Sequence, residues 1–415
     1  MSLLVQKYGG TSLASCQCMK GVASRISDTV ASGHDVVVIV SAMAVETERF
    51  LGMARQFSDD PDSRELAVLL SCGETMSAAL LAGALRELGL NARSYSAFQL
   101  GVKGRGHYLN AQVTSIDLGL IRQKMASGEV IVLAGFQAVN DVGDVVTLGR
   151  GGSDLSAVAL AALLGADECQ IYKDVDGVFT ANPHVVGGAK LIRHLGVKEV
   201  LAMAESGSRV IQLRAAACAD RHRVNLRVLS SFSGDTLGTR IYPTSPINPR
   251  QWVVGISCFD QQSKWNFQFL SSAEGSFLRF LSHLSAKAIS FHASVQNRHS
   301  GVVSLFLLVN RAESSLVSAA VDQLLSGVSC SVEVEHNWAR LSVIGCDLVS
   351  HVDTHNLVLS ILLQHKISAD VLLMTETQMS FLLPSMEVGR AVDILHETLE
   401  LSSCGREEEV ISGTF

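Results

Sequence analysis

The sequence contains little proline, few aromatic residues and little charge. Its 415 residues include only six prolines, 6% aromatic residues and 18% charged residues, against 47% hydrophobic residues. This apolar content excludes a disordered chain. The 33 basic residues are outnumbered by 40 acidic ones, and the resulting net charge of −7 does not favour nucleic acid as a partner. We expect a globular protein of about three domains with large buried sheets.

Long hydrophobic runs and paired cysteines are also missing. Apolar runs such as 36–40 and 157–164 are far shorter than the roughly 18 residues of a membrane helix. Gln6 and Lys7 interrupt the apolar start of the chain, so no leader pattern is visible. The nine cysteines form no CxxC pair, and the 13 histidines show no HExxH motif. These absences predict a cytoplasmic protein that contacts no membrane and holds no metal through its own side chains.

The first 240 or so residues alternate strand patterns with helical patterns. The apolar run DVVVIVS at 35–41 is typical of a central parallel strand. Strands are predicted at 2–8, 35–41, 130–136, 170–172 and 226–229, and helices at 19–32, 64–89 and 154–164. This alternation predicts an α/β domain with a parallel sheet, which we place at residues 1–242.

The rest of the chain is organised differently. Three of the six prolines lie in YPTSPINPR (242–250), which predicts a linker at 243–250. Two segments with the order βαββα follow, with a repeat length of about 75 residues. The first has its elements at 264–270, 275–287, 288–295, 302–309 and 312–325, and the second at 339–346, 351–365, 366–373, 378–383 and 387–399. This order predicts two ferredoxin-like α+β modules at 251–335 and 336–415, with the strand at 251–258 available to pair with the second module.

Two glycine-rich segments could bind an anion. Lys7 ends a predicted strand before Gly9 and Gly10, where bare backbone N–H groups would lie beside an ammonium. The segment GRGGSD (149–154) precedes a helix, so Ser153 or Asp154 is a natural N-cap and the glycines expose backbone donors. Each segment alone is equally compatible with a simple structural role: the first with a turn, the second with a capped helix.

Acidic residues follow a third strand. Asp174 and Asp176 lie in KDVDGVFTANP (173–183), at the carboxyl end of a buried strand, where α/β proteins bind ligands. An Asp-Gly turn would explain the same pattern. Glu74 opens a helical segment and would suit either a ligand amine or the helix dipole.

Taken in order and spacing, these motifs resemble the aspartate kinase family, which has an amino-acid kinase domain followed by paired ACT modules. The matching segments are VQKYGGTS (5–12), VSAM (40–43), SCGE (71–74), TLGRGGSD (147–154) and KDVDGVFTANP (173–183). The two tail repeats match the ACT modules in position and in Val295-Gln296-Asn297.

The resemblance implies ATP-dependent phosphorylation of the β-carboxylate of L-aspartate, with Mg²⁺ held mainly through the nucleotide phosphates. Lys7 would neutralise the transferring phosphoryl group and Asp154 would organise the site. The implied substrate-binding residues are Thr47, Glu74, Arg150, Gly151, Gly152 and Ser153. The implied ATP-binding residues are Tyr8, Gly9, Gly10, Ser41, Lys173, Asp174, Phe179, Asn182, Pro183, His184 and Arg209. The resemblance also implies a homodimer or higher homo-oligomer.

Several positions depart from the family pattern. The family prefers Ser or Thr at Lys173, Tyr at Phe179, Asp-Pro-Arg at 182–184 and Lys at Arg209. The cation missing at His184 has a substitute in Lys173, so the positive charge would be redistributed rather than lost.

The effector site also departs from the pattern. The resemblance implies that Glu274, Gly275, Gln296 and Asn297 bind an amino-acid effector, but the usual Asp-x-Pro-Gly reads SAEG (272–275) and His-Pro-Gly reads HVD (351–353). We therefore expect weakened or retuned inhibition by lysine and threonine. Modules that serve mainly for dimerisation are an equally good interpretation.

Two other functions stay open at this point. One is a kinase of another small amino acid in a specialised pathway, and the other is a non-catalytic ACT-containing metabolite sensor. The presence of Lys7, Glu74, Arg150 and Asp154 favours an active aspartate kinase.

Overall fold

The computed structural model describes residues 2–208, 210–234, 237–244, 252–287, 289–299 and 301–403. Arg209, residues 245–250 of the expected linker and the chain after 403 lie outside the described residues, and nothing is said of the side chain of Gln296. The described chain forms three sheets, two in the first half and one in the second.

The strands are β1 (Leu3–Tyr8), β2 (Asp35–Val40), β3 (Ala92–Tyr95), β4 (Lys103–His107), β5 (Asn110–Ser115), β6 (Val130–Ala134), β7 (Gln137–Val139), β8 (Val145–Thr147), β9 (Glu168–Lys173), β10 (His194–Gly196), β11 (Leu226–Ser230), β12 (Thr239–Tyr242), β13 (Val253–Leu270), β14 (Phe291–His299), β15 (Val302–Asn310), β16 (Cys330–Gly345), β17 (Asp370–Met374) and β18 (Gln378–Pro384). The helices are α1 (Cys16–Ala31), α2 (Glu46–Arg55), α3 (Ser63–Glu87), α4 (Leu118–Ala126), α5 (Gly152–Leu164), α6 (Val197–Glu205), α7 (Leu213–His222), α8 (Glu274–Ala286), α9 (Ser314–Leu324), α10 (Val352–Gln364) and α11 (Val388–Thr398).

An eight-stranded sheet forms the centre of the first domain, in the order β10-β12-β11-β9-β1-β2-β6-β3. Its pairs are parallel apart from β11 with β12. Alternate residues of β2 face opposite sides: Val37 and Ile39 pack with α5, and Val36 and Val38 pack with α1 and α3. A strand covered on both faces must be apolar throughout, which explains the run that predicted it. The expected α/β fold with a parallel sheet is confirmed.

Helix α3 is the one helix, among the described residues, whose length and composition would suit a membrane span. In this structure 56% of its most apolar window is buried inside the protein. Leu81 and Leu85 pack in the core beneath the sheet. Its apolar character is that of a core helix in an α/β domain.

A small four-stranded sheet, β5-β4-β7-β8, lies beside the main sheet and was not predicted. Arg214 on α7 joins it to the glycine-rich segment before α5. Its guanidinium donates to Oδ1 of Asn110 (2.6 Å), to the carbonyl of Ala111 (2.8 Å) and to the carbonyl of Leu148 (2.6 Å). This contact holds the β4–β5 hairpin against the loop that precedes α5.

The second half forms one six-stranded antiparallel sheet, β14-β15-β13-β16-β18-β17, with two separate cores. Strands β13 and β16 are long enough to belong to both cores. The part of β13 within 253–259 pairs with 340–345, and the part within 264–269 pairs with 330–335. The strand expected at 251–258 is thus the first part of β13, and the boundary expected at 335/336 falls inside β16. The two ferredoxin-like α+β modules expected from the repeat are present, joined through these shared strands.

Candidate active site

The centre of the site is a carboxylate held between two lysines. Lys7, near the end of β1, places Nζ 2.6 Å from Oδ1 of Asp154 in the first turn of α5. Lys173, the last residue of β9, places Nζ 3.0 Å from Oδ2 of the same carboxylate and donates a hydrogen bond to it. The Lys7 and Asp154 side chains are only 6% and 2% exposed. The contact between Lys7 and Oδ1 is a short, buried ion pair.

Burial and charge act against each other in this cluster. Burial alone would raise the pKa of Asp154, but Lys7 and Lys173 together lower the pKa to about 2. Burial lowers the pKa of Lys7, Asp154 opposes that effect and the positive charge of Lys173 adds to it. The Asp154 carboxylate is therefore ionised at neutral pH, whereas Lys7 is poised to lose its proton more readily than a free lysine.

The start of α5 differs from the capped helix expected from the sequence. The N-cap is Gly151, not Ser153 or Asp154, and it adopts a left-handed conformation with φ 68° and no side-chain cap. A Cβ at Gly151 would lie 2.8 Å from Cβ of Gln212, and still closer to its Cγ, so the chain leaves no space there. The N-cap expectation was wrong because the close approach of Gln212 and the positive φ require glycine at the turn. Ser153 and Asp154 are instead buried in the first turn.

Glu74 is a buried carboxylate with one oxygen unsatisfied by the described residues. It lies in the middle of α3 and not in its first turn, so the helix-dipole interpretation was wrong. Its Oε1 accepts a hydrogen bond from the backbone N–H of Ala42 at 3.1 Å. Its Oε2 is buried and has no hydrogen-bond partner among the described residues. Burial raises the pKa of Glu74 to about 7, with the Ala42 N–H and Lys7 opposing the shift. An unpaired carboxylate oxygen in such a place suits a cationic ligand.

The other predicted substrate residues lie farther out. Thr47 is half-buried in the first turn of α2. Arg150 has a fully exposed side chain, and Nη2 lies 3.9 Å from Oε1 of Glu313, just before α9 in the second half of the chain. The structure therefore does not bring Arg150 into contact with the Lys7–Asp154–Lys173 cluster.

The predicted nucleotide residues near β1 form a compact group. Tyr8 is buried and stacks on Tyr172, with ring centroids 4.6 Å apart. The Ser41 N–H donates to the carbonyl of Tyr8, and the Gly9 N–H donates to the carbonyl of Tyr172. A Cβ at Gly10 would lie 2.8 Å from the carbonyl oxygen of Ala42, so this turn is too tight for any larger residue.

The segment after β9 is exposed at its two ends and buried in its middle. Asp174, Asn182, Pro183 and His184 lie at the surface, and the His184 N–H donates to Oδ1 of Asn182 at 3.0 Å. Phe179 is half-buried and pairs with Leu191 in a single antiparallel bridge. The surface position of these side chains leaves them free to contact a ligand.

Thr180, in the same segment, was missed by the sequence reasoning. It is fully buried, and its Oγ1 lies 2.9 Å from Nε2 of His396 on α11. The two residues are 216 positions apart, and no local pattern could indicate the contact.

The predicted effector residues lie near one end of the first module. Glu274 begins α8, and its Oε1 lies 3.4 Å from a guanidinium nitrogen of Arg298 on β14. Asn297 is exposed on β14, where the pairing with β15 shifts register between Val295 and Asn297. Gly275 has open space around it. Glu274 is thus brought to β14 through Arg298, the residue that follows Asn297.

Within the described residues, no group of three or more His, Cys, Asp or Glu side chains is arranged to hold a metal ion. Both oxygens of Asp154 are occupied by lysines. The donor set fits an ion carried by phosphates rather than a cage of protein ligands.

Comparison of the sequence with known proteins identifies the family to which the chain belongs. Residues 2–230, more than half of the chain, match the model of the amino acid kinase family. An aspartate kinase of Pseudomonas putida is 34% identical over 412 residues, covering 99% of this chain and 100% of that protein.

Two solved structures share the fold. The structure of E. coli aspartokinase III in complex with aspartate and ADP (R-state) gives a TM-score of 0.79 at 22% identity, over 96% of this chain and 100% of that one. Its complex with lysine and aspartate (T-state) gives 0.74 at 23% identity, over 96% and 99%. From the full-length sequence match and the shared fold, the chain belongs to the aspartate kinase family.

Proposed function

We propose that the protein transfers the γ-phosphoryl group of ATP to the β-carboxylate of L-aspartate, giving ADP and 4-phospho-L-aspartate, the first step toward lysine, threonine and methionine. The observation that carries the proposal is the buried Lys7–Asp154 pair at the start of α5, beside the glycines that follow β1. Family membership and the relatives named above support the choice of substrates.

In phosphoryl transfer the protein mainly positions the two substrates and supplies positive charge around the transferred group. A β-carboxylate oxygen of aspartate forms a bond to the γ-phosphorus while the bond from that phosphorus to the bridging oxygen breaks, and ADP leaves with the electron pair. Lys7 neutralises charge that spreads over the phosphoryl oxygens. Asp154 holds the Lys7 ammonium in place, and the start of α5 provides backbone donors and the positive end of a helix dipole.

Glu74 and Arg150 bind the ammonium group and the α-carboxylate of the substrate aspartate, respectively. Oε2 of Glu74, which has no hydrogen-bond donor among the described residues, accepts a hydrogen bond from the substrate ammonium. Arg150 provides a planar fork for the α-carboxylate, and Thr47 contributes a hydroxyl. The fully exposed Arg150 side chain must swing inward for this contact.

The nucleotide lies on the glycine turn after β1 and on the segment after β9. Gly9 and Gly10 carry no side chains that would obstruct an approaching phosphate, although the Gly9 N–H already donates to the carbonyl of Tyr172. The nucleotide is contacted from the other side by Asp174, Phe179, Asn182, Pro183 and His184. Arg209, which lies outside the described residues, is assigned to the nucleotide from the family resemblance alone. When bound with the nucleotide, Mg²⁺ supplies further positive charge at the phosphates.

The second half of the chain supplies regulation in this proposal. An amino-acid effector binds near Glu274, which pairs with Arg298 on β14, and near the exposed Asn297, which precedes Arg298 in the chain. The enzyme acts in the cytoplasm as a homodimer or higher homo-oligomer, because ACT modules pair through their sheets and so cover their strand edges.

The experiment supplies purified protein with ATP, Mg²⁺ and hydroxylamine and follows acyl hydroxamate formation with L-aspartate, L-glutamate, D-aspartate and succinate in parallel. The proposal expects a signal with L-aspartate and little with succinate, which lacks the ammonium that Glu74 binds. A signal with another acceptor alone would overturn the choice of substrate. Silence with all acceptors, together with no binding of an ATP analogue, would favour a metabolite sensor.

A further inference from the structure

Lys173 occupies a position whose chemistry follows from the pairing of β1 with β9. The register sets Lys7 opposite Ile171, two residues before Lys173. Because side chains alternate along a strand, Ile171 and Lys173 point to the same face of the sheet as Lys7. That face carries α5, which places Asp154 between the two ammonium groups.

The second lysine changes the net charge of the cluster. Lys7 and Asp154 alone would form a neutral pair, and Lys173 makes the three side chains carry one net positive charge. At this depth, charges are weakly screened by solvent, so the difference matters to a phosphoryl group arriving beside it. At 184, in the segment after β9, the chain has an exposed histidine, where an arginine would add a permanent cation.

We propose that Lys173 is a positioning residue that shares Asp154 with Lys7, fixes the direction of the Lys7 ammonium and supplies the net positive charge of the cluster for phosphoryl transfer. The proposal rests on the proposed phosphoryl transfer. It gives Lys173 a role within the Lys7–Asp154–Lys173 cluster, in addition to the nucleotide contact that the family resemblance implies.

The Asp154 carboxylate has two oxygens, and each is engaged by a different lysine. With both oxygens held, the carboxylate cannot rotate, and the ammonium of Lys7 keeps one direction. Without Lys173, Oδ2 would lose the one hydrogen bond that it accepts from the described residues. The carboxylate would then be free to turn away from the reacting centre.

Lys173 also affects the proton on Lys7. Burial, followed by the charge of Lys173, lowers the pKa of Lys7, and Asp154 acts in the opposite direction. Removal of Lys173 therefore raises the pKa of Lys7. The titratable groups around the Lys7 ammonium are Asp154 on α5, Lys173 and the buried Cys169 thiol on β9, and Glu74 on α3. The change is measurable in the free protein and in the alkaline limb of the rate profile.

The test compares the wild type with Lys173→Thr, Lys173→Arg and the double variant Lys173→Thr/His184→Arg. Lys20→Thr, on the exposed surface of α1, controls for the loss of a lysine. We expect kcat of Lys173→Thr to fall roughly ten- to hundredfold, with KM for aspartate nearly unchanged. Its alkaline limb moves to higher pH. Lys173→Arg and the double variant recover part of kcat.

A second measurement tests the role of Lys173 independently of whether the protein catalyses the proposed reaction. Trace acetylation of Lys7 with acetic anhydride, quantified by mass spectrometry across pH 7–11, reports its pKa without turnover. We expect the labelling curve of Lys7 to shift to higher pH in Lys173→Thr and to stay in place in Lys20→Thr. If the curve shifts in a protein that phosphorylates no acceptor, the positioning of Lys7 stands and the proposed reaction fails.

Two results would overturn the proposal. One is a Lys173→Thr variant whose kcat and labelling curve match the wild type. The other is a variant with unchanged kcat and a raised KM for ATP, which would make Lys173 a ground-state nucleotide contact only.

Discussion

Thr180 in the segment after β9 and His396 on α11 form a buried hydrogen bond between the two halves of the chain, with Oγ1 and Nε2 2.9 Å apart. The Lys190 N–H already donates to the same Oγ1, so the hydroxyl proton is free to point toward Nε2 of His396. The carbonyl of Thr180 also accepts from the N–H of Ile256 on β13 at 2.7 Å. The second module therefore rests directly on the segment that we assign to the nucleotide.

Replacing His396 tests this link. His396→Leu leaves a buried hydroxyl short of a partner, which lowers the free energy of unfolding by about 1–3 kcal/mol. We expect KM for ATP to rise more than KM for aspartate, because the disturbed segment belongs to the nucleotide side. Urea unfolding and steady-state kinetics measure the two effects.

His396→Gln is the matched control, since it keeps a polar group at the same position. It should lose less stability than His396→Leu and keep KM for ATP near the wild-type value. Equal KM for ATP in all three proteins would show that the contact between the halves does not reach the nucleotide.

The pKa of Glu74 predicts a compromise between stability and substrate binding. Its native pKa is about 7 against 4.5 for an ordinary glutamate, so between these values the unfolded chain has released a proton that the native protein keeps. The free energy of unfolding therefore falls as the pH rises through this window, by an amount on the order of 1–3 kcal/mol. Glu74→Gln removes that loss.

We expect the free energy of unfolding of Glu74→Gln, compared with that of the wild type, to be more favourable at pH 8 than at pH 5. We also expect this variant to bind aspartate at least about tenfold more weakly. Chemical unfolding at the two pH values and KM for aspartate give the measurement. Glu87→Gln, exposed at the end of the same helix, should change neither. A Glu74→Gln variant with wild-type KM would remove Glu74 from the substrate site.

Substitution of Gly151 is expected to cause a steric clash at the start of α5. Gly151→Ala places a Cβ against Gln212 and forces a left-handed conformation on alanine, at a cost of about 1–3 kcal/mol. A displaced first turn moves Asp154, so kcat should fall as well. In contrast, Gly83→Ala in α3 has open space and should be neutral or slightly stabilising. Thermal unfolding of both variants compares them, and equal melting temperatures would contradict the account.

Arg150 and Glu313 predict an effect of the regulatory half on aspartate binding. Arg150→Ala should raise KM for aspartate about tenfold or more without changing the melting temperature, because its side chain is fully exposed. Glu313→Gln should lower KM modestly, since its carboxylate would no longer compete with the substrate carboxylate for Arg150. An unchanged KM in Arg150→Ala would leave the α-carboxylate without its expected partner.

The sequence predicted the parts of the fold that depend on local pattern. The apolar run at β2 and the strand-turn-glycine signal at β1 led to the correct sheet, because a strand buried on both faces must be apolar along its length. The unpredicted hairpin β4–β5 lacks that pattern, since most of its residues are exposed.

Contacts between distant residues were beyond local patterns. Lys7 and Asp154 were assigned to one site by resemblance, but the sequence placed Lys173 only on the nucleotide side. Its bond to Asp154 depends on the register between β1 and β9. The N-cap at Gly151 likewise depends on Gln212, which lies 61 residues further along the chain.

The most direct test of the account compares aspartyl hydroxamate formation by the wild type and by Lys7→Ala, with ATP-analogue binding and circular dichroism measured on both. Lys173 still pairs with Asp154 in this variant, so we expect it to fold and to bind nucleotide. We expect hydroxamate formation by the wild type and a loss of roughly a hundredfold or more in Lys7→Ala. Equal rates in the two proteins would contradict the central role of the Lys7–Asp154 pair.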